Sequence, residues 1–332
     1  MKNHYKAIAQ DIWAGRKDGE DRDSWRWHQA VECVDVLNNE IPSLKENEKG
    51  TAIIGFCSDE GVRRNKGRTG AAQGPEAIRK ASSSFPVHFS EVSKLIDLGD
   101  IVCQGSDLEG AQKALGELIA LALENGYRPL VLGGGHEIAY GHYLGIKSYL
   151  QKHKPEASLG IINYDAHFDL REIDPEVGPS SGTPFLQIAQ DQKTLGKDFN
   201  YFVIGINKNS NTKKLFNTAE ELGVDFIRRR HVNAEKQVDL FHKIGEMVDK
   251  VDYIYLTTCM DVFNAGYAPG VSAPAAQGIT PDYVFMKSYK KILKSGKLLS
   301  ADIAEVNPQL DIDSHTAKLA ASLAFEVVTS AE

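Results

Sequence analysis

Residues 159–169 read LGIINYDAHFD, an apolar run that leads directly into two aspartates and a histidine. Residues 159–164 show no regular alternation of apolar and polar side chains, which is typical of a parallel strand covered on both faces. Asp165, His167 and Asp169 stand at positions i, i+2 and i+4, and in an extended segment such positions share one face. The stretch therefore predicts a buried strand with ionisable side chains at its carboxyl end.

Similar runs recur along the chain, separated by amphipathic helical stretches. They are TAIIGFC (51–57), KLIDLGD (94–100), RPLVLGG (128–134), YFVIGI (201–206), VDFIRR (224–229), DYIYLTT (252–258) and LLSADIAEV (298–306). With residues 159–165 they predict an α/β fold with one parallel sheet of eight strands, and their periodicity leaves open a three-layer sandwich or a closed barrel. We predict a single domain over residues 51–332, with residues 1–50 as an N-terminal extension packed on it.

The composition indicates a soluble globular protein, with 42% hydrophobic and 25% charged residues. The net charge of −7 is dispersed, so no nucleic-acid partner is expected. No signal-peptide core or membrane-length apolar run occurs, and the four cysteines are scattered, which together predict a cytoplasmic protein without membrane attachment or a disulfide framework. A small-molecule substrate is the expected partner, and homo-oligomer formation is left open.

Three of the predicted strands are followed by residues that commonly bind metals. GGGHE (133–137) contains His136, DAHFD (165–169) contains Asp165, His167 and Asp169, and CMD (259–261) contains Cys259 and Asp261. Each motif has an ordinary alternative: a glycine-rich turn with a solvated histidine, a hydrogen-bonded polar loop, or a small core cysteine. Together, at strand ends that meet at one sheet edge, they predict a site for two divalent cations.

These three motifs resemble, in the same order, the signatures of the ureohydrolase (arginase and agmatinase) family, whose third signature is matched by CMDVFNAGYAPGVSAP (259–274). The resemblance runs from about Thr51 to Pro308. It implies a three-layer α/β/α sandwich with an eight-stranded parallel sheet and two Mn²⁺ ions bridged by hydroxide. By position, one ion would be held by His136, Asp165, Asp169 and Cys259, and the other by Asp165, His167, Cys259 and Asp261.

Cys259 departs from the family pattern, because most members have a bridging aspartate at this position. A thiolate is a softer ligand than a carboxylate, so the departure predicts weaker binding of Mn²⁺ at the second metal position.

Ser181 replaces the histidine that serves as a proton shuttle in arginases, and a hydroxyl is not a comparable acid near neutral pH. Glu305 matches the family acid that grips the amidine or guanidine group. Catalytic roles are therefore expected for Glu305, for Asp169, which would help to steady the tetrahedral intermediate, and for Ser181, which would hold a water.

The stretches CSDEGVRRNKGRTGAAQGPEAIRKA (57–81), SSGTPFLQI (180–188) and WRWHQ (25–29) resemble the formimidoylglutamase branch of that family. The resemblance implies hydrolysis of N-formimidoyl-L-glutamate to L-glutamate and formamide. The alternatives are an agmatinase- or arginase-type hydrolase, or a metal-binding paralogue with weakened activity. Because two carboxylates of that substrate suit arginine side chains, we expect Arg63, Arg64, Arg68 and Arg171 to bind it.

Overall fold

In the computed structural model, which describes residues 1–330, one large twisted sheet is covered by helices on both faces. The strands are β1 (Tyr5–Lys6), β2 (Glu32–Cys33), β3 (Lys49–Cys57), β4 (Ser93–Val102), β5 (Arg128–Gly133), β6 (Leu159–Tyr164), β7 (Asn200–Ile206), β8 (Asp225–Arg228), β9 (Tyr253–Cys259) and β10 (Leu298–Ala304). The α-helices are α1 (Trp27–Ala30), α2 (Glu60–Arg64), α3 (Gly74–Ser82), α4 (Leu108–Glu124), α5 (Ile138–His153), α6 (Pro184–Thr194), α7 (Lys213–Glu221), α8 (Gln237–Lys250), α9 (Tyr283–Leu293) and α10 (His315–Thr329).

The eight longer strands run parallel in the order β4-β3-β5-β10-β9-β6-β7-β8. Each of them corresponds to one of the eight predicted apolar runs, so the predicted parallel sheet is confirmed. The sheet is open, because β8 ends it on one side and β4 lies near the other. Two additional strands of two residues each pair with β4, β1 antiparallel and β2 parallel.

Alternate residues of the central strands face two separate apolar cores. On β5, Leu130 and Leu132 pack into the first core and Val131 into the second. Helices α3, α8, α9 and α10 cover the first core, and α4, α5, α6 and α7 cover the second. This arrangement is the three-layer sandwich, since each face of a parallel sheet needs a helical cover. No helix within residues 1–330 is both long and apolar enough to span a bilayer.

Three of the helices that cover the sheet begin after side chains that accept backbone hydrogen bonds. Asp107 precedes α4 and accepts from Gly110 N, Thr212 precedes α7, and Asp282 precedes α9 and accepts from Val284 N. Such caps satisfy N–H groups that have no partner inside the helix. They fix the residues at which α4, α7 and α9 begin.

The first fifty residues lie along the β4 edge of the sheet. Trp27 stacks on Phe325 of α10, with ring centroids 6.0 Å apart, and Trp13 Nε1 donates to Asp97 Oδ2 at 2.8 Å. These contacts attach the segment to both the helical cover and the sheet. The division of the chain at residue 50 stays a prediction, and residues 331 and 332 of the predicted domain lie outside the described residues.

Candidate metal centre

Four neighbouring strands in the middle of the sheet, β5, β10, β9 and β6, end side by side. Ionisable residues follow each of them: His136 after β5, Glu305 after β10, Asp261 after β9 and Asp165 after β6. Because the strands are parallel, these side chains meet at one edge of the sheet, where open α/β folds commonly bind ligands. Sheet order thus gathers residues that are far apart in the chain.

His136 lies at the centre of a first cluster. Its Nδ1 atom is 2.9 Å from Asp165 Oδ2 and 2.9 Å from Asp169 Oδ2. Ligand atoms of His136, Asp165 and Cys259 all lie within 4.8 Å of one another, and all three residues are buried. Atoms that share one first-row cation at about 2.0–2.2 Å are about 3 Å apart, so this spacing suits a bound ion.

Asp165 also belongs to a second cluster, with His167 and Asp261. His167 Nδ1 is 3.1 Å from Asp261 Oδ2 and 3.4 Å from Asp165 Oδ1. The ligand atoms of these three residues again lie within 4.8 Å of one another. One oxygen of Asp165 therefore faces each cluster, as expected of a carboxylate shared by two ions.

Without a cation, the charges of the two clusters do not balance. Burial raises the pKa of Asp169, and the charge of Asp165 raises it further. Burial would lower the pKa of His136, but hydrogen bonds and charges from Asp165 and Asp169 raise that pKa well above its ordinary value. Burial, together with Asp165 and Asp261, likewise raises the pKa of the Cys259 thiol. The group must gain positive charge, from protons or from metal ions.

Two carboxylate oxygens at this edge are open to a cation. Asp261 Oδ1 and Glu305 Oε2 are buried and have no hydrogen-bond partner among residues 1–330. An unpaired buried oxygen of this kind costs free energy, and a bound cation would remove the cost. The donors are imidazole nitrogen, carboxylate oxygen and one sulfur, a set that suits a divalent transition metal. The residues present therefore fit two such ions.

Glu305 is held in an unusual conformation beside the clusters. Its φ is 70°, in the left-handed region, and its backbone N–H donates to Gly134 O at 2.8 Å. Its Oε1 accepts from His136 N at 2.9 Å, which leaves Oε2 free. Burial, with the charges of Asp261 and Glu137, raises the pKa of Glu305 to about 8. Strained backbone of this kind concentrates at functional sites.

The segment after β6 is a turn rather than the extended strand predicted from its sequence. β6 ends at Tyr164, and Asp169 has a φ of 49°, which directs its carboxylate back towards His136. Asn211 holds the turn, since its Oδ1 accepts from Phe168 N at 3.0 Å and its Nδ2 donates to Ala166 O at 2.8 Å. The side chains of residues 165, 167 and 169 reach one centre through this turn.

A cavity of about 350 Å³ opens over the two clusters. Besides the metal-centre residues, its lining includes Asn65, Lys66, Arg68, Arg171, Ser181 and Ser210. The side chains of Lys66 and Arg171 have no ion-pair or hydrogen-bond partner among the described residues, whereas Arg68 Nη2 donates to Val271 O at 2.7 Å. Ser181 Oγ accepts from Asn65 Nδ2 at 3.2 Å. The cavity thus has an acidic floor and a partly basic wall.

Arg63 and Arg64, two of the predicted substrate ligands, do not line this cavity. The Arg63 side chain is 61% exposed and pairs with Glu60 at 2.6 Å. Arg64 pairs with Glu60 at 2.9 Å and with Glu109 at 2.6 Å. Helix α2 brings positions i+3 and i+4 next to Glu60, so both guanidinium groups are already paired with acids. Of the four predicted arginines, the structure brings Arg68 and Arg171 to the cavity.

Polar residues inside the strands were not identified from the sequence as part of the site. Asn163, within β6, donates from Nδ2 to Asp165 Oδ2 at 3.1 Å and to Tyr201 at 2.9 Å. Thr257 of β9 contacts the ring of His136, and Asp302 of β10 lies behind it. Each is a polar interruption of an apolar strand close to a predicted ligand, and that signal could have identified them.

Comparison with known proteins gives consistent matches over nearly the whole chain. A Clostridium tetani protein named formimidoylglutamase is 42% identical over 98% of this chain and 96% of its own length. A Chromobacterium violaceum protein with the same name is 44% identical, over 96% of this chain and 98% of its own length. The solved structure of Trypanosoma cruzi formiminoglutamase with Mn²⁺ shares the fold, with a TM-score of 0.72 and 23% identity over 90% of this chain and 98% of that one.

The family model described as the arginase family matches residues 49–329. The match covers all eight longer strands and every residue of the two clusters. The chain therefore belongs to the arginase family.

Proposed function

We propose that this chain hydrolyses N-formimidoyl-L-glutamate to L-glutamate and formamide. The observation that carries the proposal is a pair of metal-type clusters on the same cavity as two cations, Lys66 and Arg171, that have no partner within residues 1–330. The substrate has an amidine at one end and two carboxylates at the other, which matches the acidic floor and the basic wall. The names of the relatives from C. tetani and C. violaceum support this substrate, because each alignment spans nearly both chains.

Two Mn²⁺ ions are the proposed cofactor. The first would be held by His136, Asp165, Asp169 and Cys259, and the second by Asp165, His167, Cys259 and Asp261. Divalent manganese, when bound, acts as a Lewis acid and lowers the pKa of water, so that a hydroxide nucleophile is available near neutral pH. The Mn²⁺ in the T. cruzi structure makes manganese the first metal to test.

Glu305 is assigned to the amidine end of the substrate. Its Oε1 already accepts from the backbone of His136, so Oε2 is the atom that would accept from an amidinium nitrogen. The positive charge of the amidinium would lower the Glu305 pKa from about 8 and keep the carboxylate ionised. The resulting charge-assisted hydrogen bond would orient the amidine carbon over the clusters.

Arg171 and Lys66 are assigned to the carboxylate end. Both line the cavity, and neither is paired with an acid in the described part of the chain. Arg68 also lines the cavity, but its guanidinium is held by Val271 and Ser272 carbonyl groups, so it adds charge from a fixed position. For Arg63 and Arg64 we propose an indirect part, in which their ion pairs hold the loop that carries Lys66 and Arg68.

Ser181 and Asp169 are assigned to the leaving amine of glutamate, which must gain a proton. Ser181 Oγ accepts from Asn65, so its own proton is free to hold a water at the cavity wall. A serine hydroxyl is too weak an acid to supply the proton itself near neutral pH. We assign the transfer to Asp169, on the same cavity, which would take the proton that the attacking hydroxide loses as formamide forms and pass it to the amine through the water that Ser181 holds.

The proposal is tested by metal content and turnover measured on one preparation. Purified protein is stripped of metal, reloaded with Mn²⁺, and assayed side by side on formimidoyl-glutamate, agmatine and arginine. We expect two Mn²⁺ per chain and metal-dependent formamide release, with formimidoyl-glutamate strongly preferred. Faster hydrolysis of agmatine would overturn the substrate but not the family, and metal binding without turnover of any of the three would overturn the activity.

A further inference from the structure

A row of buried polar side chains runs from His136 into the interior, away from the cavity. His136 Nε2 is 3.0 Å from Thr257 Oγ1, and Thr257 Oγ1 donates to Asp302 Oδ1 at 2.6 Å. Asp302 is 0% exposed and also accepts from His142 Nδ1 at 2.7 Å and from the Tyr255 hydroxyl. Of these residues only His136 lines the cavity, so the others do not touch substrate.

Counting protons along this row fixes the direction of each hydrogen bond. The carboxylate of Asp302 only accepts, so the single hydroxyl proton of Thr257 is used on Asp302. The Thr257 oxygen must then accept from His136, which places a proton on Nε2 of that ring. Nδ1 of His136 faces Asp165 and Asp169, and it is the ring nitrogen that gives up its proton when a metal binds, because a histidine binds metal only through an unprotonated nitrogen.

We propose that Thr257 and Asp302 are positioning residues that hold His136 in the Nε2–H form and thereby set the Mn²⁺ affinity of the first cluster. The inference rests on the metal centre of the proposed function. Outer hydrogen-bond partners of metal-binding histidines commonly act in this way, because they fix both the proton and the orientation of the ring. Here the partner carboxylate acts through an intervening hydroxyl, and His142 and Tyr255 keep that carboxylate in place.

Thr257→Val removes the hydroxyl that links His136 to Asp302 and nearly keeps the size of the side chain. We expect its dissociation constant for the ion at the first cluster to rise about tenfold to a hundredfold. Thr257→Ser keeps the hydroxyl and should stay close to the wild type. Thr258→Val is the matched control, because Thr258 is equally buried on the opposite face of β9 and its hydroxyl takes no part in the row. Isothermal titration with Mn²⁺ measures all four proteins.

Asp302→Asn keeps the hydrogen bonds of the row but reverses their direction. Its amide oxygen can still accept from His142 and Tyr255, which directs the NH₂ group to Thr257. The Thr257 proton would then turn to His136 Nε2 and force the ring proton onto Nδ1, where it blocks the metal. We therefore expect Asp302→Asn to lose at least as much Mn²⁺ affinity as Thr257→Val.

Circular dichroism and metal-free melting temperatures show whether each variant folds. A wild-type protein that bound no Mn²⁺ would overturn the metal centre itself. A wild-type protein that bound it, with folded Thr257→Val and Asp302→Asn binding equally well, would overturn the positioning role alone. If both variants fail to fold, ¹⁵N NMR of wild-type protein loaded with diamagnetic Zn²⁺ decides: a proton on His136 Nε2 supports the inference, and a proton on Nδ1 overturns it.

Discussion

Two groups of buried charged residues lie on the same sheet and balance their charges in different ways. In the first, here called the arginine cluster, Arg79 is fully buried and pairs with Asp97 at 2.7 Å and with Asp100 at 2.6 Å. Trp13 adds a hydrogen bond to Asp97. In the metal centre, by contrast, the cationic partners that residues 1–330 provide are imidazoles, and carboxylates outnumber them.

The difference appears in which atoms lack partners. None of the side-chain atoms of Arg79, Asp97 and Asp100 is among the buried unpaired atoms of residues 1–330, whereas Asp261 Oδ1 and Glu305 Oε2 are. Burial would lower the pKa of Arg79, but the two aspartates raise it, so the chain supplies a permanent cation. Buried charge alone therefore does not indicate a ligand site. A cluster of buried acids and imidazoles without a permanent cation does.

Asp165→Ala should have the largest effect on the metal centre, because Asp165 faces both clusters. We expect loss of bound Mn²⁺ and a fall in kcat/KM of about three orders of magnitude or more, since a bound ion contributes several kcal/mol of charge stabilisation. The metal-free protein should remain folded, because Asp165 follows the end of β6 and belongs to neither apolar core. Metal analysis, a formamide-release assay and circular dichroism measure these three outcomes. Wild-type Mn²⁺ content in the purified variant would contradict the assignment.

Asp97→Ala, in the arginine cluster, should have the opposite effects: it should lower stability and leave metal binding unchanged. It leaves Arg79 buried and short of a partner, which should lower the free energy of unfolding by about 3–5 kcal/mol. Mn²⁺ affinity of the folded fraction should stay unchanged. Trp13→Phe is a milder control that keeps an aromatic ring and removes one hydrogen bond, at a cost of about 1 kcal/mol. Urea unfolding gives the stabilities, and a variant as stable as the wild type would mean that the arginine cluster contributes little.

Arg171→Ala tests whether a cation that has no partner within residues 1–330 and lies near the metal centre binds the substrate. We expect KM for formimidoyl-glutamate to rise about tenfold, the lower end for a charged hydrogen bond because Arg171 is exposed. Mn²⁺ content should not change. Arg63→Ala is the comparison variant, because Arg63 pairs with Glu60 outside the cavity, and its KM should rise by less, since Arg64 still pairs with Glu60 and holds the loop. Equal effects of the two changes on KM would mean that Arg171 and Arg63 influence substrate binding only through the overall positive charge near the cavity.

The main sheet could be predicted from the sequence because its strands are nearly continuous apolar runs with polar turns between them. Strands β1 and β2 could not, since two-residue strands are defined only by their pairing with β4. The sequence alone can predict that metal-binding residues follow strands, because that prediction does not depend on the order of the strands in the sheet. That β5, β10, β9 and β6 are neighbours is a property of the fold, and it explains why Glu305 meets His136.

The basic loop shows where sequence reasoning reaches its limit. Its charges predict a carboxylate-binding surface, but they do not reveal that Glu60, one helical turn before Arg64, already pairs with both arginines of that turn. The reverse holds for Thr257 and Asp302, which look like ordinary polar residues in strands until their contacts with His136 are known. Local pattern predicts which residues carry charge, and tertiary contacts decide which charges remain free.

Cys259→Asp should strengthen the metal centre rather than weaken it, and it asks how that centre tolerates a thiol. Burial and the surrounding carboxylates raise the Cys259 pKa, so the thiol is hard to ionise before a cation arrives. Aspartate ionises readily and offers the harder oxygen ligand that Mn²⁺ prefers, so we expect about tenfold tighter Mn²⁺ binding at the second position. Cys57→Ser, at a cysteine outside the cavity, should leave the titration unchanged. If Cys259→Asp bound Mn²⁺ no more tightly than the wild type, Cys259 would not be a ligand. The two ions would then have to share Asp165 alone.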